Sequence, residues 1–345
     1  VKIPEVITPQ QQLLRYSNWI LDTETRLNTT PTTAYIKIPF HLAADQNTFR
    51  LRSNQTIPQT PQTQTEPTSS KMSTSKPTIF FLGATGGCTL AALTHTLNAG
   101  YPSIALARTP SKLTQLLLSA GIPQTTLNQL LKIHPGNALS TTDVKTALLL
   151  ASPSQSQSSS PTLPSTIITG LGATPQFNFR SLNPLNWVTI DNATLCGTAA
   201  ATLVSALREI YTEYPDLLQK KPLLAFISTT GISNVTEDVP FWMRFLYHQI
   251  LAVPHRDKRV MESVFRGSAA TEGNENGVFR AVIGVRPTLL TSAEPRGIEG
   301  VRVGREERPE MGYTVSRGDV GEWVFKVVIE GEGRGWEGEC ASLTN

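Results

Sequence analysis

Gly83-Ala84-Thr85-Gly86-Gly87 is the run best suited to chemistry, because its glycines let backbone N–H groups approach an anion with no Cβ in the way. A short apolar run, Ile79 to Leu82, leads into it, and a helical pattern begins at Thr89. A helix starting there aims unpaired N–H groups and a partial positive charge at the same spot. Thr85, or Thr89 at the helix start, could cap the helix or bind phosphate oxygens. A second apolar run, Ile104 to Ala107, ends at Arg108. Strand, glycine loop, helix, strand is the order of the first βαβ unit of a dinucleotide-binding fold.

The residues after the second strand separate two cofactors. NAD-binding proteins usually place a carboxylate there to accept hydrogen bonds from the adenosine ribose. This chain offers Arg108, Thr109, Ser111 and Lys112 instead. A guanidinium suits a 2′-phosphate and can bind it in bidentate fashion. The expectation is therefore NADP(H) in preference to NAD(H), with NAD(H) possible. The competing account of Arg108 is a solvated strand end.

Composition narrows the surroundings. The chain has 345 residues and a net charge of +3, enough length for one large α/β domain or two small ones. Basic residues are scattered, and Glu306, Glu307 and Glu310 dilute the one cluster in the tail, Arg302 to Arg308. A nucleic-acid partner, which needs a concentrated basic patch, is not indicated. Cys88, Cys196 and Cys340 form neither a metal-ligand pattern nor a disulfide framework, so no metal and a reducing, cytoplasmic setting are expected. No apolar run is long enough for a membrane span.

Residues 1–76 differ from the rest. Asn54 to Lys76 is rich in Gln, Thr, Pro and Ser, which cannot bury enough apolar surface to fold. A disordered leader is expected, with Met72 as a candidate natural start. A mitochondrial transit segment is the rival: Arg15, Arg26, Arg50 and Arg52 favour it, and Glu5, Asp22, Glu24 and Asp45 oppose it.

From residue 77 the pattern alternates. Helices are predicted at 88–99, 110–119, about 124–132, 141–150 and 195–213. Strands are predicted at 103–107, 166–169, 223–228 and 279–285, a short strand with its exit loop at 133–137, and a polar insertion at Ser152–Ser165. Segments 241–253 and 257–265 read as helical. The tail reads as a strand near 312–315, a helix at 319–330 and a strand near 337–343. The fold class is α/β, a doubly wound, mostly parallel Rossmann sheet over 77–345 with substrate-side elements toward the C-terminus. A cofactor belongs over the strand C-termini, where strand order reverses.

Five segments in order resemble the atypical short-chain dehydrogenases/reductases, especially the NmrA-like NAD(P)-binding proteins. They are Gly83-Ala84-Thr85-Gly86, Arg108, Ser228-Thr229-Thr230-Gly231, Val285-Arg286-Pro287 and Ser316-Arg317-Gly318-Asp319-Val320. The resemblance implies that Gly170-Leu171-Gly172-Ala173 approaches the cofactor's ribose and nicotinamide. It also implies a third glycine at position 89, where this chain has Thr89. The first helix is therefore expected slightly farther out, with Gly87 compensating in part.

Catalytic members of that family use Tyr and Lys four residues apart on one helix, with a Ser after the preceding strand. The lysine binds the nicotinamide ribose and lowers the tyrosine pKa. Lys258, followed by Glu262, matches the lysine, but Pro254 stands where the tyrosine would be. His255, Tyr247 if Pro254 turns the chain back, and the hydroxyls of Ser228, Thr229 or Thr230 are the substitutes. Tyr247 could equally be a core residue, and His255 a loop or cap residue. Arg317 and Asp319 are read as structural: Ser316 or Asp319 caps the last helix, and Arg317 pairs with a buried carboxylate. Two functions follow from the resemblance. One is an NADP(H)-dependent oxidoreductase acting on a small carbonyl or conjugated substrate; the other is a non-catalytic NAD(P)-binding redox sensor with a protein partner.

Overall fold

The computed structural model describes residues 76–151, 161–172, 175–177 and 188–345. The expectations for the leader, Met72 and Ala173, and for most of the polar insertion, fall outside the described residues. β1 (Ile79–Leu82), β2 (Ser103–Ala107), β4 (Thr166–Thr169) and β7 (Leu223–Ile227) are buried along their whole length. That is the signature of parallel strands covered on both faces, and it explains their unbroken apolar runs. With β3 (Leu131–Pro135), β8 (Ala281–Pro287), β10 (Arg302–Gly304) and β12 (Cys340–Thr344) they form one sheet, ordered β10-β12-β8-β7-β4-β1-β2-β3. Only β10, paired with β12, is antiparallel. Strand order reverses between β1 and β4, so the loops leaving these two strands open a crevice. The α/β doubly wound class expected from the sequence is the class observed.

Alternate residues of each strand feed opposite layers. Ile79 and Phe81 join Ile168, Ala225 and Ile283 beneath α1 (Gly87–Asn98), α2 (Pro110–Ser119) and a C-terminal helix, α7 (Arg317–Trp323). Phe80 and Leu82 join Ile167, Leu224 and Phe226 beneath α4 (Thr141–Leu149), α5 (Leu195–Glu213) and α6 (Ala252–Arg266). Two further short pairings, β5 (Pro175–Phe177) with β6 (Val188–Ile190) and β9 (Leu289–Thr291) with β11 (Thr314–Ser316), stand apart from the main sheet. Among the described residues, no helix is long and apolar enough to cross a membrane.

Several predicted boundaries move. The helix expected to 132 is α3 (Gln124–Leu130), because Leu131 already belongs to β3 on the sheet edge. The sixth strand begins two residues later than expected and runs on through Pro287. The last helix starts at Arg317 and becomes π-helical over Val324–Glu330. Residues 241–253 are not one helix. A 3-10 turn, Phe241–Met243, is followed by a π-helical turn, Leu246–Ile250, and then by α6. Pro254 sits in the first turn of α6, where a missing N–H forfeits no intrahelical bond.

α6 is held to β8 by charge. Arg286 donates to Glu262 from Nε at 3.1 Å and from Nη2 at 2.6 Å, and Nη2 also lies 2.9 Å from Glu306. Arg266 closes the network on the second Glu306 oxygen at 2.9 Å. Burial disfavours the Arg286 charge, but hydrogen bonds to Glu262 and the surrounding carboxylates more than offset this and raise its pKa. Glu262→Ala leaves the guanidinium short of a bidentate partner, so denaturant unfolding should show a loss of about 3–5 kcal/mol. A loss below about 1 kcal/mol, the level of an exposed pair, would contradict this account.

Candidate functional site

The β1 loop is shaped by what cannot fit there. Gly83 has φ +73°, and a Cβ on it would stand 3.0 Å from the Gly170 carbonyl carbon and the Leu171 nitrogen. The loop closes through Gly86 N–H donating to Gly83 O at 2.9 Å, and Gly86 is the N-cap of α1. No side chain caps α1 and its first turn contains no acid, so neither Thr85 nor Thr89 performs the capping the sequence suggested. Thr85 and Gly87 are exposed, whereas Ala84 is buried under the loop.

Thr89 is accommodated in an unexpected way. Its hydroxyl is buried and lies where a Cβ on Gly170 would be, so the glycine missing from α1 is supplied by the turn after β4. α1 therefore meets the turn after β4 through Thr89 and Gly170. Gly87 lies under the aliphatic part of Arg317.

The nominated residues form a row across the strand ends in the order β2, β1, β4, β7. Arg108 leaves β2 exposed, and Lys112 is exposed in the first turn of α2; neither side chain has a partner among the described residues. Next come the glycine loop of β1 and then Gly170-Leu171-Gly172 of β4. Lys258, on α6, joins β4 to β7 by donating from Nζ to Leu171 O and Ile227 O, each at 2.8 Å. Ser228 and Thr230 are buried just beyond β7, and Thr229 is half-buried between them. At about 4.8 Å per strand the row spans about 14 Å from β2 to β7.

Asp257, which no local pattern singles out, precedes Lys258 on α6 and is buried. Its two carboxylate oxygens accept from Cys196 N and Gly197 N, both at 2.8 Å, and so cap α5 from a neighbouring helix. Gly231, φ +81°, allows Tyr247 and His255 to pack against the backbone after β7; a Cβ there would meet Tyr247 Cδ1 at 2.6 Å and His255 Cε1 at 3.1 Å. The Tyr247 and His255 rings lie 5.6 Å apart, so the π-helical turn does bring Tyr247 back to α6. Burial raises the Tyr247 pKa, opposed by a hydrogen bond with the Thr230 hydroxyl. Burial pushes His255 down to about 4, with the Arg259 and His248 charges adding to the effect. Burial lifts Cys88 to about 12 against the charges of Arg317 and Lys258, which leaves it a protonated thiol.

Five buried polar atoms have no hydrogen-bond partner among the described residues: Thr89 Oγ1, Ser228 Oγ, Asp238 Oδ2, Arg244 Nε and His255 Nδ1. Asp238, like Asp257, escaped the sequence reading; its other oxygen accepts from Gly231 N at 2.7 Å. Buried groups of this kind are rare and call for a cause. Ser228, Asp238 and His255 all belong to the β7 end of the row. The glycine cradle, the uncapped start of α1 and the unpaired Arg108 and Lys112 are compatible in shape and charge with a dinucleotide. No group of metal-ligating side chains occurs among the described residues.

No family profile matches the chain. Oxidase pynE of Aspergillus niger is 46% identical over 291 residues, covering 78% of this chain and 99% of that protein. Reductase pytE of Aspergillus terreus is 39% identical over 277 residues, covering 79% of this chain and all of that protein. A short-chain dehydrogenase/reductase (wide type) from Veillonella parvula, solved in complex with NADP, matches with TM-score 0.51 at 14% identity over 78% of this chain and 94% of its own. At that identity the likeness is one of fold.

Two predictions follow from packing and burial. Gly170→Ala should cost about 1–3 kcal/mol through overpacking, and adding Thr89→Ala should recover at least half of that loss. Purely additive costs in denaturant melts would exclude a direct contact. For His255, the folded chain binds a proton only below about pH 4, and the unfolded chain binds one below about 6.5. Between those values the unfolded state holds more protons, so stability falls as pH drops from 6.5 toward 4. His255→Gln should flatten that slope; an unchanged slope would assign it to other groups.

Proposed function

The chain belongs to the family of the Aspergillus proteins named oxidase pynE and reductase pytE, and on that premise we propose that it is an NADP(H)-dependent oxidoreductase acting on a small carbonyl or conjugated substrate. The observation that carries this reading is the row Arg108, Gly83–Gly87, Leu171 with Lys258, and Ser228, lying in strand order across the crevice. In it the Gly83–Gly87 amides hold the pyrophosphate, and Arg108 with Lys112 holds the 2′-phosphate. Lys258, with two of its protons fixed by Leu171 O and Ile227 O, turns the third toward the nicotinamide ribose. A bound nicotinamide would supply or accept the hydride.

The remaining work falls to the chain's own groups. Ser228 Oγ, buried and unpartnered, donates to the substrate oxygen, and Thr229 orients it. Tyr247 is occupied with Thr230 and stays protonated. His255 is neutral at ordinary pH, so in the oxidising direction Nδ1 can take the proton of a hydroxyl substrate, and in the reducing direction it must first take up a proton from solvent before passing it on. The three cysteines are buried and not joined in disulfides among the described residues, which suits a reducing compartment such as the cytoplasm.

A non-catalytic NAD(P)-binding sensor of the NmrA-like kind is the second reading. Pro254 in place of the usual tyrosine favours it, as do the exposed Phe241, Trp242 and Phe245, 72%, 82% and 60% accessible, which a protein partner could cover. Calorimetric titration separates the cofactor question from the catalytic one. NADPH should bind more tightly than NADH, and Arg108→Ala should weaken NADPH at least tenfold while leaving NADH unchanged. Wild-type protein that binds neither would sink both readings. Tight binding with no NADPH turnover across a carbonyl and enone screen would favour the sensor.

A further inference from the structure

We propose that Arg317 is a further cofactor-holding cation, set on the pyrophosphate rather than on the adenosine or the nicotinamide ribose. The inference rests on the dinucleotide reading above and names a contact that reading does not contain. Arg317 was expected to pair with a buried carboxylate, and it does not. Its hydrogen bond is from Nη1 to Ser292 Oγ at 3.1 Å, and no carboxylate among the described residues lies within ion-pair distance. Capping of α7 is complete without it. Ser316 Oγ accepts from Asp319 N at 3.0 Å, and Asp319 in turn accepts from Gly297 N at 2.9 Å and from Asn345 Nδ2 at 3.1 Å.

What Arg317 does touch is the glycine loop. A Cβ on Gly87 would overlap Arg317 Cδ and lie 3.3 Å from Nε, so the loop yields its side-chain space to this arginine. Gly87 is the first residue of α1, a twelve-residue helix with no acid in its first turn. A guanidinium beside that end adds positive charge to the positive end of the helix dipole, and an anion is the group that reconciles the two. The charge also reaches Cys88, one residue on. α7 is held rigidly for the purpose: a Cβ on Gly321 would stand 2.7 Å from Ala92 N and 2.8 Å from Cys88 O. The backbone that carries Arg317 is thus packed directly on the helix whose start the arginine flanks.

The test uses the full chain and three ligands: NADPH, NADH and adenosine 2′-monophosphate, which carries the 2′-phosphate and lacks the pyrophosphate. Arg317→Gln should weaken NADPH and NADH alike by about tenfold, the size of one charge-assisted contact, and leave adenosine 2′-monophosphate unchanged. Arg317→Lys should restore part of the loss. Arg108→Ala should give the complementary pattern, weakening NADPH and adenosine 2′-monophosphate and sparing NADH. Unchanged dinucleotide affinity in Arg317→Gln overturns the proposal. So does equal weakening of all three ligands, or a thermal midpoint of the free protein lowered in both variants, because each marks a structural residue. Failure of the unmutated chain to bind any dinucleotide overturns the parent reading first and is recognised by appearing before any substitution.

Discussion

Backbone meets backbone between the loop after β1 and the turn after β4, and the rest of the site depends on that contact. Gly83 faces the Gly170–Leu171 peptide with no room for a single carbon atom, and Thr89 fills the space that Gly170 leaves. Because the two strand ends are this close, the start of α1, the Leu171 carbonyl and the Lys258 ammonium lie within one crevice. A larger residue at either glycine would push α1 off the sheet and separate the anion-binding end from the β7 end. The sheet register supports the same arrangement: Leu82 is opposite both Leu106 and Thr169, so the three loops leave at one level.

The β7 end is organised by α6 rather than by the sheet. Three neighbouring acidic and basic residues on that helix have separate tasks. Asp257 caps α5, Lys258 ties β4 to β7, and Glu262 holds Arg286. The helix is therefore fixed on three sides, which is the kind of support that keeps a reacting group in place. Pro254 is compatible with this because it occupies the first turn, and the π-helical turn before it returns Tyr247 to His255.

The sequence was most legible where signals are local. The apolar runs of β1, β2, β4 and β7 and the glycine-rich turn after β1 could be read directly, and with them the doubly wound class. The resemblance singled out Lys258 but not its two carbonyl partners. What escaped depends on contacts between distant segments. Gly170 answers Thr89 across the crevice, Asp257 caps a helix from another helix, and Arg317 lies over Gly87. None of these leaves a periodicity or a spacing to find. The 241–253 segment failed for a different reason: its apolar pattern suits a helix, but π-helical geometry and Pro254 break the period.

We propose that Arg108, the glycine loop, Leu171 with Lys258, and Ser228 form one extended binding surface. A crystal structure of the chain grown with saturating NADP⁺ tests it most directly. The dinucleotide should lie stretched in the order β2, β1, β4, β7, with the 2′-phosphate on Arg108 and the nicotinamide beside Ser228 and His255. Density for the nucleotide at any other place, or reversed along the row, would contradict the proposal.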